Sequence, residues 1–169
     1  ITNTNIFVLF PYKTDKINEN IERLGLKNVQ VQVADATVEK ADFIEKADIV
    51  LADVPCSGLG VLGKKVDIKY RLTKEQTEEI VSLQREIVRN VCNYVKKGGT
   101  FIYSTCTVNK AENNDNVKWK TENLPLEIVT IGNELPEELR NSVGEDGTLQ
   151  LFQGVHKCDG FYIAKLRKI

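Results

Sequence analysis

Two cysteines stand where a nucleophile is useful. Cys56 lies in Asp53-Val54-Pro55-Cys56-Ser57-Gly58, and Cys106 lies in Ser104-Thr105-Cys106-Thr107. Each segment follows an apolar run that reads as a strand: Ala47 to Ala52 (ADIVLA) before the first, Thr100 to Ser104 (TFIYS) before the second. A thiol at such an exit can be lowered in pKa by helix N-termini or nearby cations and attack as the thiolate. One helix separates the two strands. A right-handed crossover of that size places the strands as near neighbours and brings both cysteines to one rim. Asp35 is a third candidate, just past the alternating Val29, Val31 and Val33. In open α/β sheets, ligands bind outside the carboxyl ends of the strands, where all three segments fall.

Other chemistry-bearing residues carry less. Gly58-Leu59-Gly60-Val61-Leu62-Gly63 is a literal G-x-G-x-x-G, which suggests a dinucleotide site. Its third glycine should open a helix that receives the pyrophosphate. Here a basic stretch, Lys64 to Arg71, follows instead, and the helix waits until Thr73, so the match reads as a coincidence. The basic stretch itself has two open readings, a solvated loop or a set of phosphate contacts. Cys92 falls on an apolar helix face and reads as core. Cys158 sits in a turn and suggests no role. His156 is the single histidine, which argues for a structural part rather than a Cys–His hydrolase. No residue cluster suggests a metal site.

Composition narrows the classes. The chain has 169 residues with Lys plus Arg 23 against Asp plus Glu 24, a net charge of −1, which excludes a strongly basic nucleic-acid glue. Apolar residues make up 41%, enough for a real core. No apolar run approaches a membrane span, and no signal segment opens the chain. The four cysteines are scattered with no C-x-x-C pair, which argues against a disulfide scaffold and for a reducing cytosol. The chain begins Ile1-Thr2-Asn3 and contains no methionine.

The elements that must position the cysteines alternate. Ile6 to Phe10 reads as a strand. Thr14 is expected to cap a helix with Ile17, Ile21 and Leu24 on its apolar face, ended by Gly25. Residues 37–46 suggest a short polar helix or loop. Thr73-Lys74-Glu75-Gln76 is a capping box opening a helix with Ile80, Leu83, Ile87, Val88, Val91 and Val95 on one face, stopped by Gly98-Gly99. Ala111 to about Lys120 reads as a further helix. Leu126 to Thr130, Leu149 to Phe152 and Phe161 to Leu166 read as strands, the last two forming an antiparallel hairpin at one edge. The pattern is α/β with a mostly parallel sheet.

The two cysteine segments resemble the signature of the RNA cytosine-5 methyltransferases of the Sun/Fmu (RsmB-like) type. That family's motif D-x-P-C-S-G is present as Asp53 to Gly58, and its continuation as Gly58 to Arg71, with Val66 where the family usually has proline. Its motif Y-S-T-C-[ST] is present as Tyr103 to Thr107, followed by Glu112-Asn113. Asp159-Gly160-Phe161-Tyr162-Ile163-Ala164 is similar to its D-G-F-F-I-A strand. The likeness runs from about Asn20 to the C-terminus.

The resemblance implies a Rossmann-like S-adenosylmethionine-dependent methyltransferase fold and transfer of a methyl group to C5 of a cytosine in RNA, ribosomal by expectation. Cys106 would add to C6 as the nucleophile, and Cys56 would help release the enzyme. Asp53 would hold the cytosine edge and lie close to the cofactor, and Asp35 would contact the cofactor's adenine side. Lys64, Lys65, Lys69 and Arg71 would contact the RNA. The target base must be unstacked to be reached. The family's glycine-rich cofactor turn (CAAPGGKT-like) does not occur in these 169 residues, and no carboxylate stands near Leu9 or Phe10. The expectation is therefore a partial catalytic domain over residues 1–169, with its first βα unit and the RNA-binding domain outside it, acting in rRNA processing in the cytoplasm. The alternatives are a non-catalytic fragment that binds RNA or a ribosomal partner and, at a distance, a dinucleotide-binding oxidoreductase. Neither a membrane nor a metal is expected.

Overall fold

The computed structural model describes residues 3–64 and 72–169. They form two compact units, Ile1–Lys40 and Ala41–Ile169. The first is one parallel βαβ unit: β1 (Thr4–Val8), α1 (Pro11–Arg23) and β2 (Val29–Val33), with Thr4 opposite Val29 and Val8 opposite Val33. The cap of α1 is Phe10, not Thr14. Proline at the first helical position is the reason: its fixed φ suits the first turn, and its missing N–H is one that no helix start can use. Thr14 lies inside that turn and donates from Oγ1 to the Pro11 carbonyl. The far end stops as its glycine predicts. Gly25 takes φ +64°, Leu26 N–H donates to the Ile21 carbonyl and Gly25 N–H to that of Glu22, which closes a Schellman motif.

The second unit holds one mixed sheet. Its strands are β3 (Ala47–Asp53), β4 (Val95–Thr105), β5 (Leu126–Ile128), β6 (Leu149–Leu151) and β7 (Phe161–Lys168). The order is β3-β4-β7-β5, with β6 also paired to β7. β3 and β4 are parallel, and β7 is antiparallel to β4, β5 and β6. Four strands therefore share one direction and β7 alone opposes them. The expected pairing of the last two strands is present, but β7 runs inside the sheet, between β4 and β5.

The helices are α2 (Lys74–Val91), α3 (Asn114–Asn123) and the short α4 (Glu137–Arg140). Thr73 makes the full capping box with Gln76. The apolar stripe suggests that α2 runs on to Val95, yet it ends at Val91, and Val95 already pairs with Ala47 in the sheet. Gly98 and Gly99 do not stop a helix. They lie where β4 bulges, as the register jumps from Ala47–Val95 to Ile49–Thr100, and Gly98 takes φ +78°. Likewise α3 begins at Asn114 rather than Ala111, because residues 110–113 form a turn. Phe101, Tyr103 and Thr105 of β4 and Tyr162, Ala164 and Leu166 of β7 are fully buried, alternating as a strand requires. Val88 of α2 and Val117 of α3 are buried with them.

Candidate active site

The parallel register of β3 and β4 does the first part of the positioning. Asp53 ends β3 directly opposite Ser104, whose hydroxyl donates to Asp53 Oδ1 at 3.0 Å. The chains leave the sheet side by side, tied by Val54 N–H to the Ser104 carbonyl. Three residues past Asp53 and two past Ser104, the loops bring the cysteines together. Cys56 Sγ and Cys106 Sγ lie 3.1 Å apart, within hydrogen-bond reach, and both are partly exposed. The convergence expected from the sequence is present. Burial, above all, pushes the Cys56 thiol up to about 12, and the hydrogen bond and charge of Cys106 add to the push. At neutral pH Cys56 therefore keeps its proton.

The neighbours of both cysteines are bonded as well. Ser57 Oγ and Thr107 Oγ1 are 2.8 Å apart. The Pro55 carbonyl accepts from Gln84 Nε2 of α2 at 2.8 Å. Gly58 takes φ +71°, a conformation that favours glycine. Gly60 N–H donates to the Cys106 carbonyl at 3.0 Å, and Gly160 N–H donates to the Gly60 carbonyl at 2.8 Å. A Cβ on Gly60 would stand 2.1 Å from the Gly160 oxygen and 2.7 Å from the Cys106 oxygen. The glycine motif is therefore spent on backbone-to-backbone contact beside the cysteine, and the segment after Gly58 turns as a short 3-10 helix, Leu59–Val61.

The other candidates are placed as follows. Asp35 follows β2 in the first unit, and its Oδ1 accepts from Thr37 N–H at 2.9 Å and Thr37 Oγ1 at 2.7 Å. These bonds hold its carboxyl below the usual range. Lys64 is exposed and pairs with Asp159 at 2.6 Å. Lys65, Lys69 and Arg71 lie outside the described residues. Cys92 is buried and Cys158 exposed. His156 is structural: its Nδ1 accepts from Phe152 N–H at 2.9 Å and its Nε2 lies 2.9 Å from Ser142 Oγ. Among the described residues, no group of three or more His, Cys, Asp or Glu could hold a metal, and no helix is long and apolar enough to cross a membrane.

One residue escaped sequence reasoning except as part of a motif. Glu112 is fully buried, with its carboxylate bonded to the loop that carries Cys56. An acid so close to a buried turn was the available signal, but its partners come from segments scattered along the chain.

A sequence model of the 16S rRNA methyltransferase RsmB/F family matches residues 10–167. Ribosomal RNA small subunit methyltransferase F of Escherichia coli O157:H7 is 36% identical over 154 residues, which is 90% of this chain. The chain spans only 32% of that relative's length. Among solved structures, PH0851 superposes with TM-score 0.88 at 30% identity, covering 98% of this chain and 37% of its own. NSun6 from Pyrococcus horikoshii, solved with SFG, superposes with TM-score 0.75 at 28% identity, covering 98% of this chain and 41% of its own.

Proposed function

The chain belongs to the RsmB/F family of 16S rRNA methyltransferases, and from that premise we propose that it carries the reacting residues of an RNA cytosine-5 methyltransferase acting on ribosomal RNA. The observation that supports this most is the thiol pair, Cys56 and Cys106, 3.1 Å apart on the two loops that leave the paired strand ends Asp53 and Ser104. Cytosine C5 is a poor nucleophile, and a thiolate added at C6 makes it a good one. Cys106 forms the Sγ–C6 bond, and the C5–C6 π pair moves into the ring, leaving C5 electron-rich. Asp53 accepts from the cytosine amino group, the donor that tells cytosine from uracil. Cys56, still protonated, donates to the attacking sulfur before the bond forms.

The cofactor is S-adenosylmethionine, whose bound sulfonium supplies an electrophilic methyl group. Carboxylates suit the hydroxyl and amino donors of its adenosine half. Asp35, held ionised by Thr37, and Asp53, each in its own unit, are the residues here that fit it.

Release then needs the C5 proton removed. Once Cys106 is a thioether, it has neither a charge nor a proton to share. Two of the causes that hold the Cys56 proton in place disappear. Cys56, partly exposed, can then give its proton to solvent and, as the thiolate, take the C5 proton; the C–H bonding pair re-forms the C5–C6 double bond and the Cys106 thiolate leaves with the Sγ–C6 pair.

Substitutions in the intact enzyme test the assignment. Cys106→Ala should abolish methylation. Cys56→Ala should accumulate a covalent protein–RNA adduct, visible as an RNA-dependent shift on a denaturing gel. Full turnover by Cys56→Ala would sink the role given to Cys56.

A further inference from the structure

The residues that follow the two cysteines converge on one buried carboxylate. Glu112 Oε1 accepts from Ser57 Oγ at 2.5 Å and Asn109 Nδ2 at 3.0 Å. Its Oε2 accepts from Ser57 N–H at 2.9 Å and Gln84 Nε2 at 3.1 Å. The donors come from three places: the Cys56 loop, the turn after Cys106, and helix α2. Ser57 is the next residue after Cys56, and Thr107 the next after Cys106. Their hydroxyls are 2.8 Å apart, and Thr107 Oγ1 in turn accepts from Asn109 N–H at 3.2 Å. The main chain of Glu112 is pinned too, since Tyr103 Oη donates to its carbonyl at 2.8 Å from the core of β4.

A buried carboxylate is tolerated only when its lone pairs are taken, and here four donors take them. The arrangement needs two acceptor oxygens. A glutamine amide would turn a donor toward two donors, and the loop carrying Cys56 would have to move away.

We propose that Glu112 is a positioning residue for the thiol pair: by gripping Ser57 and the turn beyond Thr107 together, it sets the separation of Cys56 from Cys106 and so the rate of the covalent step. This rests on the cytosine-5 reading only where turnover is measured. The prediction is specific to the chemistry. Glu112 is fully buried with its carboxylate taken up by protein donors, so kcat should fall while KM holds.

The test uses Glu112→Gln and Ser57→Ala in the intact enzyme, with two readouts. Diamide joins two adjacent thiols as a disulfide and is itself reduced to the hydrazine, so the rate at which Cys56 and Cys106 are joined, followed by peptide mass, reports their proximity. In both variants that rate should fall at least tenfold, and kcat at least tenfold with KM for RNA within twofold. Ser57→Ala keeps Glu112 and its remaining donors, so it decides the matter if Glu112→Gln fails to fold. Disulfide formation at the wild-type rate with unchanged kcat, whatever the melting temperature does, overturns the proposal and leaves Glu112 a brace of the fold. If the wild-type enzyme methylates no cytosine, the functional reading fails, and the diamide rates still decide for or against Glu112.

Discussion

Of the causes that raise the Cys56 thiol to about 12, burial belongs to the fold, but the hydrogen bond and the charge belong to Cys106. They are removed by Cys106→Ala. In that variant the pH at which Cys56 becomes reactive toward iodoacetamide should shift down, measured as alkylation rate against pH with exposed Cys158 as the internal standard. An unchanged profile would mean that burial alone sets the thiol, and that adduct formation does not free Cys56 to act as a base. Lys120 offers a second titration. It is fully buried, its Nζ has no hydrogen-bond partner, and it lies 3.4 Å from the centre of the Tyr103 ring. Burial first, then the Arg85 charge, pull it well below its ordinary 10.5. The unfolded chain therefore binds a proton that the folded chain refuses. The contribution of Lys120 to stability therefore rises with pH between the lowered value and 10.5, and is flat on either side. Lys120→Met should raise the melting temperature at neutral pH, with the gain shrinking as pH approaches 10.5. Denaturant melts across pH check both statements.

The glycine-rich segment after β3 shows what an element can be used for. A methyl group at Gly60 meets backbone on two sides, whereas one at Gly63 meets only the end of the flexible Gln153 side chain. Gly60→Ala should therefore cost about 1–3 kcal/mol and disturb the Cys106 loop, while Gly63→Ala should melt within about a degree of the wild type; comparable losses at both would remove the special place of Gly60. The pairing of β3 with β4, and with it the meeting of Cys56 and Cys106, was readable because two apolar runs flank one strongly patterned helix. Other boundaries were not. Val91 and Val95 fit a helical stripe as well as a strand, and the sheet claims Val95 through Ala47. Gly98-Gly99 has the look of a helix stop and serves a bulge. Thr14 is a good cap residue outranked by Pro11. Glu112 was unreadable as an organiser for a different reason: hydrogen bonds to Ser57, Gln84 and Asn109 follow from tertiary contact, and no local period encodes them.

The two units differ in how well they are built. The first has a two-stranded sheet, and α1 contributes no buried residue; such small sheets are marginal. The second centres on β4 and β7 with a continuous buried row. Amide exchange should accordingly be faster in Thr4–Val8 and Pro11–Arg23 than in β4 and β7, and equal protection would contradict the difference in burial. β3 pairs only with β4 among the described residues, and Ile49 and Leu51 on it are 56% and 66% exposed, which is unusual for an apolar strand. The position of β7 has a further consequence. It is made last of the strands described, yet it fills the place between β4 and β5, and the Gly160 that precedes it reaches the Gly60 carbonyl beside Cys106. A polypeptide leaves the ribosome N-terminus first, at roughly 5–20 residues per second. Both cysteines therefore emerge seconds before the strand that completes their surroundings, and a nascent chain exposes its thiols before the pair is braced. The order of synthesis places a natural delay between having the reactive groups and having the site.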